Sequence, residues 1–419
     1  MEPDYNQVVA EQHEEIKSIL QTGWVERENE KDIDPESRLV QIITGVRRSG
    51  KSTMAHRALM DTNYAYANFD DERLGLLRAT QLNDLLEALY REYGDFTHIL
   101  LDEIQNVEGW HLFVNRLQRN NIRLLITGSN SKLLSSEFAS HLTGRYSVIK
   151  LFPYSFREYL SSLGETSLSK PTARSRGLIM SHFDKYLQTG GFPEPVKVGK
   201  VAAYLRDLFD AIVTRDILFR YNIKHTRTFK EIASFLISNF GKEISYNRIK
   251  NIFGLGSENT AKTYVGYLEV AWLIITLPKF SFKKQESLRY RKVYNIDTGF
   301  CQISGLSFSE NLGRILENTV LLDLQRRSTK EGYEIYYYKN VVEIDFVIYK
   351  NRKVDILIQV CVSLQDKKTK NREIRALTKA GDELGATNLF IVTMEEEKSL
   401  IEGHKNIQVV RITDWLLRE

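Results

Sequence analysis

Apolar residues in the first third of the chain fall into short runs separated by helical patterns. Leu39–Thr44, Tyr64–Phe69, Thr97–Leu101, Arg123–Thr127 and Tyr146–Leu151 read as strands, and Lys51–Met60, Gln81–Tyr93 and Trp110–Gln118 read as helices. Strands alternating with helices predict a mainly parallel sheet covered on both faces. Ahead of them, Val8 to Leu20 predicts an amphipathic helix and Glu26 to Arg38 a polar connector. From Ser155 to about Tyr221 the pattern is helical, broken at Gly190-Gly191-Phe192-Pro193; from Thr226 to Leu277 three short helical patterns precede a strand. Beyond Val293 short strands return at Glu334–Tyr338, Glu343–Tyr349, Val354–Val360, Thr387–Val392 and Gln408–Val410, framed by helices at Glu310–Arg327 and Asn371–Leu384. The chain therefore divides, as an expectation, into residues 1–154, 155–222, 223–292 and 293–419.

Composition narrows the class. With 419 residues the chain has room for several domains at about 100–200 residues each. An apolar share of 42% and a charged share of 27% suit a soluble globular protein and exclude a collagen-like or wholly disordered chain. The 2 cysteines, Cys301 and Cys361, are too few for a disulfide framework or a multi-cysteine zinc site. A net charge of +4 does not by itself predict a nucleic-acid partner. The longest apolar stretch, Val265–Leu277, is interrupted by Glu269 and falls short of the roughly 20 residues of a membrane span. The acidic start, Met1-Glu2-Pro3-Asp4-Tyr5, is not a signal peptide. The expectation is a cytoplasmic protein with no membrane partner.

Chemistry concentrates after the first strand. Gly45-Val46-Arg47-Arg48-Ser49-Gly50-Lys51-Ser52 fits GxxxxGK[ST], with a strand before it and a helix after it. Glycines let such a loop turn its backbone N–H groups toward phosphates, and the helix start adds favourable partial charge. In this reading Lys51 reaches the β- and γ-phosphates of ATP, Ser52 ligates Mg²⁺ and Thr53 helps at the α-phosphate. Arg47 and Arg48 contact phosphate or pair with lid carboxylates. The strand His98–Leu101 ends in Asp102, placed to hold Mg²⁺, and Glu103, placed to activate water. The next strand ends in Thr127-Gly128-Ser129-Asn130, where Asn130, then Ser129, is the candidate contact to the γ-phosphate or attacking water; a plain turn explains the same residues. Arg145 reads as a phosphate contact in cis, as an arginine finger to a neighbouring copy, or as one half of a surface ion pair.

These segments, with Asn68-Phe69-Asp70-Asp71-Glu72, Leu101-Asp102-Glu103-Ile104-Gln105, Thr127-Gly128-Ser129-Asn130-Ser131, Leu142-Thr143-Gly144-Arg145, Gly190-Gly191-Phe192-Pro193 and Tyr294-Asn295-Ile296-Asp297-Thr298-Gly299, resemble a prokaryotic family of AAA-type ATP-binding proteins with a C-terminal domain of unknown function. The resemblance implies an α/β AAA+/P-loop NTPase core with a helical lid over 155–222. It also implies a winged helix and a restriction-endonuclease-like, PD-(D/E)XK-like α/β domain behind them. It makes the Asn130 strand the sensor and Gly190–Pro193 a lid element near the base; a helix end and turn is the plain reading of the glycines.

In the middle region, the third helix, Thr260 to Leu268, is the recognition helix of a winged helix-turn-helix, with Asn259, Lys262 and Thr263 as exposed candidates. Lys279-Phe280-Ser281-Phe282-Lys283-Lys284 and Arg289-Tyr290-Arg291-Lys292 set six basic residues against Glu286, with aromatics between them. That pattern grips phosphates and stacks on bases, or forms a solvated hairpin. DNA contact through 257–292 is one expectation. In the last region, Glu317, Asp345 and Gln359-Val360-Cys361 have the spacing of a metal nuclease, but Gln359 stands for the acid and Cys361 for the lysine, so a degenerate fold is expected. The leading reading is a Mg²⁺-dependent ATPase whose nucleotide state controls a C-terminal module, in a chain that is a candidate homo-oligomer. The alternatives are an ATP-sensing DNA-binding regulator with little turnover and an ATP-dependent nuclease.

Overall fold

The computed structural model describes residues 3–20, 23–75, 77–130, 144–165, 172–198, 200–283, 287, 289–303, 305, 308–402 and 405–418. Ser131, Leu142, Thr143, Lys284 and Glu286 lie outside the described residues.

Strands β1 (Val40–Thr44), β2 (Tyr64–Asn68), β3 (His98–Asp102), β4 (Arg123–Gly128) and β5 (Tyr146–Lys150) form one sheet in the order β2-β3-β4-β1-β5, every pairing parallel. β1 and β3 are buried at every position, which is why they read as continuous apolar runs rather than as alternating ones. Alternate side chains feed two cores. Ile42, Ile99 and Ile126 face α1 (Tyr5–Leu20), α3 (Leu82–Tyr93) and α4 (Trp110–Arg119), while Ile43, Leu100 and Leu125 face α2 (Lys51–Leu59). The Gln12 amide fixes α1 at the end of β2: it donates to Asn68 O and Asp71 Oδ2, both at 3.1 Å, and accepts from Asn68 N at 3.0 Å. These elements form a compact unit, Met1–Pro153, which also includes Val270–Trp272. The Trp272 indole donates to Thr44 Oγ1 at 3.3 Å and meets the Phe152 ring edge-on.

The second unit comprises Tyr154–Glu269 and Leu273–Glu419. It opens with α5 (Phe156–Ser162), α6 (Ala173–Thr189), α7 (Pro193–Val198) and α8 (Val201–Ala211), the last running into a π-helical stretch, Ile212–Phe219. Next come α9 (Thr226–Ser238), β6 (Lys242–Ile244), α10 (Tyr246–Phe253), α11 (Glu258–Val270), β7 (Ile274–Pro278) and β8 (Arg291–Asn295), with a sheet in the order β6-β8-β7. Phe229, Ile232, Ala233 and Leu236 form the buried face of α9. Ser245 caps α10 by accepting from Arg248 N, and the Ser257 hydroxyl accepts from Thr260 N at the start of α11.

After α12 (Phe300–Ile303) and α13 (Phe308–Glu331), the chain builds a six-stranded mixed sheet. Strands β9 (Glu334–Lys339), β10 (Glu343–Lys350) and β11 (Lys353–Val360) are an antiparallel meander; α14 (Lys367–Leu384) then crosses over to β12 (Asn388–Thr393), parallel to β11. β13 (Lys398–Glu402), β14 (Lys405–Arg411) and α15 (Ile412–Leu417) complete it. Among the described residues, no helix is long and apolar enough to cross a membrane.

Candidate functional site

Adjacent strands β3, β4 and β1 end along one edge of the first sheet, and the three predicted motifs leave from those ends. Carboxyl edges of parallel sheets are where ligands bind in open α/β folds. Gly45 must be glycine: a Cβ there would lie 1.9 Å from Leu151 O. Arg48 (φ +67°) and Gly50 (φ +92°) are both left-handed, and such residues in close succession are the backbone geometry of an anion nest. Gly50 is the residue before α2, so the loop opens onto a helix N-terminus. Ser49 Oγ is buried with no hydrogen-bond partner among the described residues. An orphaned hydroxyl inside a nest of amides fits a phosphate oxygen as its missing partner.

Lys51 is 6% exposed. Its ammonium donates to Val46 O at 3.2 Å and stands 3.8 Å from Glu103 Oε1. Asp102 is buried and accepts from Ser52, the Thr127 hydroxyl and, at 3.4 Å, the Tyr66 hydroxyl. Burial and the neighbouring Glu103 charge push the Asp102 carboxyl above its ordinary range despite those donors. It is thus a carboxylate short of positive charge, and with the Ser52 hydroxyl it forms an oxygen donor pair that suits Mg²⁺. Burial also pushes Glu103 up, but the Lys51 charge and the Ser129 hydrogen bonds outweigh it and hold Glu103 below its ordinary value. Glu103 adopts φ +54°, uncommon for a residue with a side chain. Its Oε2 accepts from Ser129 N at 3.1 Å, Ser129 Oγ at 2.9 Å and the Gln105 amide.

Sequence reasoning ranked Asn130 above Ser129. Ser129 is the residue that holds Glu103, and Asn130 is buried beside it. Thr53 is half-buried on the first turn of α2, and Arg47 Nη1 is 3.3 Å from Asp70 Oδ2. Arg145 needs correction as a cis contact. Its carbonyl accepts from Val40 N at the opening of β1, whereas the phosphate loop leaves β1 after Thr44. Four residues of strand, about 13 Å, separate the two edges, and Arg145 is exposed on the far one.

Arg27 was not foreseen. Its buried guanidinium donates to Ser49 O at 2.7 Å and Phe152 O at 2.6 Å, bracing the loop from behind. Nothing in the charged run Glu26–Arg38 distinguishes it, because its partners are backbone carbonyls distant in sequence.

In the second unit, two motifs from the resemblance meet. Asp297 accepts from Gly191 N at 2.7 Å and Gly299 N at 2.8 Å, which ties Gly190–Pro193 to the Asn295–Gly299 turn. Lys292 is a second correction. Read as a phosphate-gripping residue, it is 4% exposed, with its ammonium 3.1 Å from Glu317, 2.9 Å from Glu343 and 3.5 Å from Asp345. Phe280 is buried too. The Gln359 carboxamide is used internally, accepting from Asp345 N at 2.8 Å and donating to Glu373 at 2.7 Å. Burial pushes the Cys361 thiol up to about 12.

Residues 37–160 match an AAA domain, and residues 180–310 and 312–415 match two domains of unknown function, DUF8612 and DUF4143. Among solved structures, the chain is similar to a signal transduction ATPase with numerous domains (STAND) carrying a tetratricopeptide repeat sensor from Pyrococcus horikoshii, at 15% identity and a TM-score of 0.29, over 72% of this chain and 45% of that one. The chain thus spans less than half the length of that protein. It is 33% identical over 395 residues to the uncharacterized protein MJ1544 of Methanocaldococcus jannaschii, covering 90% of this chain and 88% of that one. It is 30% identical over 406 residues to an uncharacterized protein of Haemophilus influenzae, covering 91% of this chain and 95% of the other. With similarity to both over nearly the full length, the chain belongs to the family of these two proteins, and it carries an AAA domain followed by DUF8612 and DUF4143.

Proposed function

We propose that this protein is a Mg²⁺-dependent ATPase whose nucleotide state controls the second unit. The observation that carries this reading is the set of Lys51, Asp102 and Glu103 at one sheet edge, beside a loop whose Ser49 hydroxyl has no partner among the described residues. Loop amides, Ser49 and Lys51 bind the phosphates, with Thr53 near the α-phosphate. Ser52 and Asp102 hold Mg²⁺, which when bound offsets phosphate charge during transfer. Glu103 orients the attacking water and takes its proton, a task that its lowered pKa leaves to an ionised carboxylate. Ser129 fixes the direction of that carboxylate. Arg145 acts in trans, on the nucleotide of a second copy, which its exposed place at the far edge supports.

A DNA contact within 257–292 rests on the exposed Asn259, Lys262 and Thr263 of α11, since Lys292 and Phe280 are withdrawn into the protein. The nuclease reading has less support, because Gln359 and Cys361 supply neither a carboxylate nor an ammonium. One observation favours an ATP sensor with little turnover: Glu103 is already engaged by Ser129 and Gln105. Steady-state hydrolysis with Glu103→Gln separates these readings. An ATPase loses about 10²–10⁴-fold in turnover, the usual contribution of a general base, and keeps its ATP·Mg affinity. Wild-type turnover already as low as the variant's indicates the sensor; equal, substantial turnover in both contradicts the role of Glu103.

A further inference from the structure

A cavity of about 890 Å³ opens in the second unit between α13, α14 and the β9–β10 turn. One wall is a row of cations on α14: Lys368, Arg372, Arg375 and Lys379, all exposed and all lining the cavity. Their spacing of four, three and four residues keeps them on one helix face, with steps of about 4.5–6 Å along the axis. Arg314 on α13 adds a fifth cation to the lining. Lys368 and Arg375 have no ion-pair partner among the described residues, whereas Arg372 is paired with Glu373.

The floor carries carboxylates, but their charge is met internally. Lys292 stands among Glu317, Glu343 and Asp345, Tyr294 donates to Glu317 at 2.6 Å, and Lys339 is 3.7 Å from Glu343. Those carboxylates outweigh burial and hold the Lys292 ammonium charged. Burial and the Glu317 charge push Asp345 up to about 8, so it carries a proton at neutral pH. Glu317, Glu343 and the protonated Asp345 thus face Lys292, with Lys339 shared between Glu343 and Glu243 at 3.8 Å, and Gln359 and Arg372 engage Glu373. What remains on the wall without an ion pair among the described residues is Lys368, Arg375, Lys379 and Arg314, the last lying over the Phe240 ring, against Glu310.

We infer that this cavity binds the phosphodiester backbone of a nucleic acid, with Lys292 as its built-in cation and without cutting the strand. A row of cations about every 4.5–6 Å along the helix axis is of the same order as the roughly 3.4 Å of duplex axis per phosphate on one strand, and arginine forks suit phosphate oxygens. Among the described residues no aromatic side chain lines the cavity, so recognition is of the backbone rather than of stacked bases. The Lys292 ammonium occupies the centre of the carboxylates, so binding needs no divalent cation. This inference stands apart from the ATPase reading and from the α11 face.

The test is a salt titration of labelled, random-sequence DNA and RNA duplexes against the full chain in EDTA, wild type beside Lys368→Ala/Arg375→Ala. Each phosphate contact contributes about 0.9 to the slope of log affinity on log salt. Four cations without an ion pair therefore give a slope of about −3 to −4, and the double variant is shallower by about 2, with affinity at low salt down about tenfold or more. Unchanged thermal unfolding of the variant shows that it is folded. Preference for DNA or for RNA supports the inference and names the source of the backbone; equal binding supports backbone recognition alone. No wild-type binding to either duplex at low salt, an unaltered slope in the double variant, tighter binding of polyglutamate than of either duplex, or strand cleavage on adding Mg²⁺ overturns it.

Discussion

Gly190 has φ +73°, and a Cβ there would lie 1.8 Å from Asp297 Oδ1. Asp297 is fully enclosed and spends both oxygens on the amides of Gly191 and Gly299, so it has no room to yield. Gly190→Ala therefore adds backbone strain and a clash at one point. Chemical unfolding should show a loss of about 3 kcal/mol or more, the range of the severe point substitutions; a loss below about 1 kcal/mol contradicts the tie between the two turns. At this scale the sequence was informative where chemistry is tied to spacing. That Gly45, Lys51, Ser52, Asp102 and Glu103 come together at one sheet edge was legible from the loop pattern and the acidic strand end. Arg27 was not, because its hydrogen bonds go to backbone carbonyls at Ser49 and Phe152 that no spacing connects to it. Lys292 was misread for a related reason: a basic residue beside basic neighbours looks solvated until the carboxylates that enclose it arrive from α13 and β10.

The elements of the first unit were legible because a parallel sheet buried on both faces leaves unbroken apolar runs between polar loops. The predicted Tyr64–Phe69 strand and the observed β2, Tyr64–Asn68, differ by one residue. The edge strand β13 was missed, and it could not have been found from apolar pattern: most of its residues are exposed. The Ser245 and Ser257 hydroxyls accept from Arg248 N and Thr260 N at the starts of α10 and α11, the use that a hydroxyl ahead of a helical run most often has. α2 also carries a group whose protonation the fold opposes. His56 is buried, with Nδ1 3.0 Å from the Tyr64 hydroxyl and Nε2 unpartnered among the described residues. Burial pulls it from 6.5 down to about 4. The unfolded chain then binds a proton below pH 6.5 that the folded chain refuses until about pH 4. Stability from this group is full above that window and falls as pH drops through it. Lowering the pH to 5 should cost the wild type about 2 kcal/mol more than His56→Phe in chemical unfolding of the first unit. Equal losses in both chains contradict a buried neutral imidazole.

For the whole molecule, the chain passes between its two compact units at Pro153–Tyr154, Glu269–Val270 and Trp272–Leu273. The middle segment belongs to the unit that holds the phosphate loop, although its flanks, α11 and β7, belong to the other. Trp272 within it donates to Thr44, the last residue before Gly45. The proposed control of the second unit by the nucleotide takes this segment as its route, and no reading of local pattern reveals the segment, since it depends on where three residues pack. All of it presupposes that the first unit takes up nucleotide. Titration calorimetry of the full chain with ATP in excess Mg²⁺ tests that most directly. The account predicts saturable binding by the wild type, retained in Glu103→Gln and lost in Lys51→Ala; no uptake by the wild type, or uptake unaffected by Lys51→Ala, would contradict it.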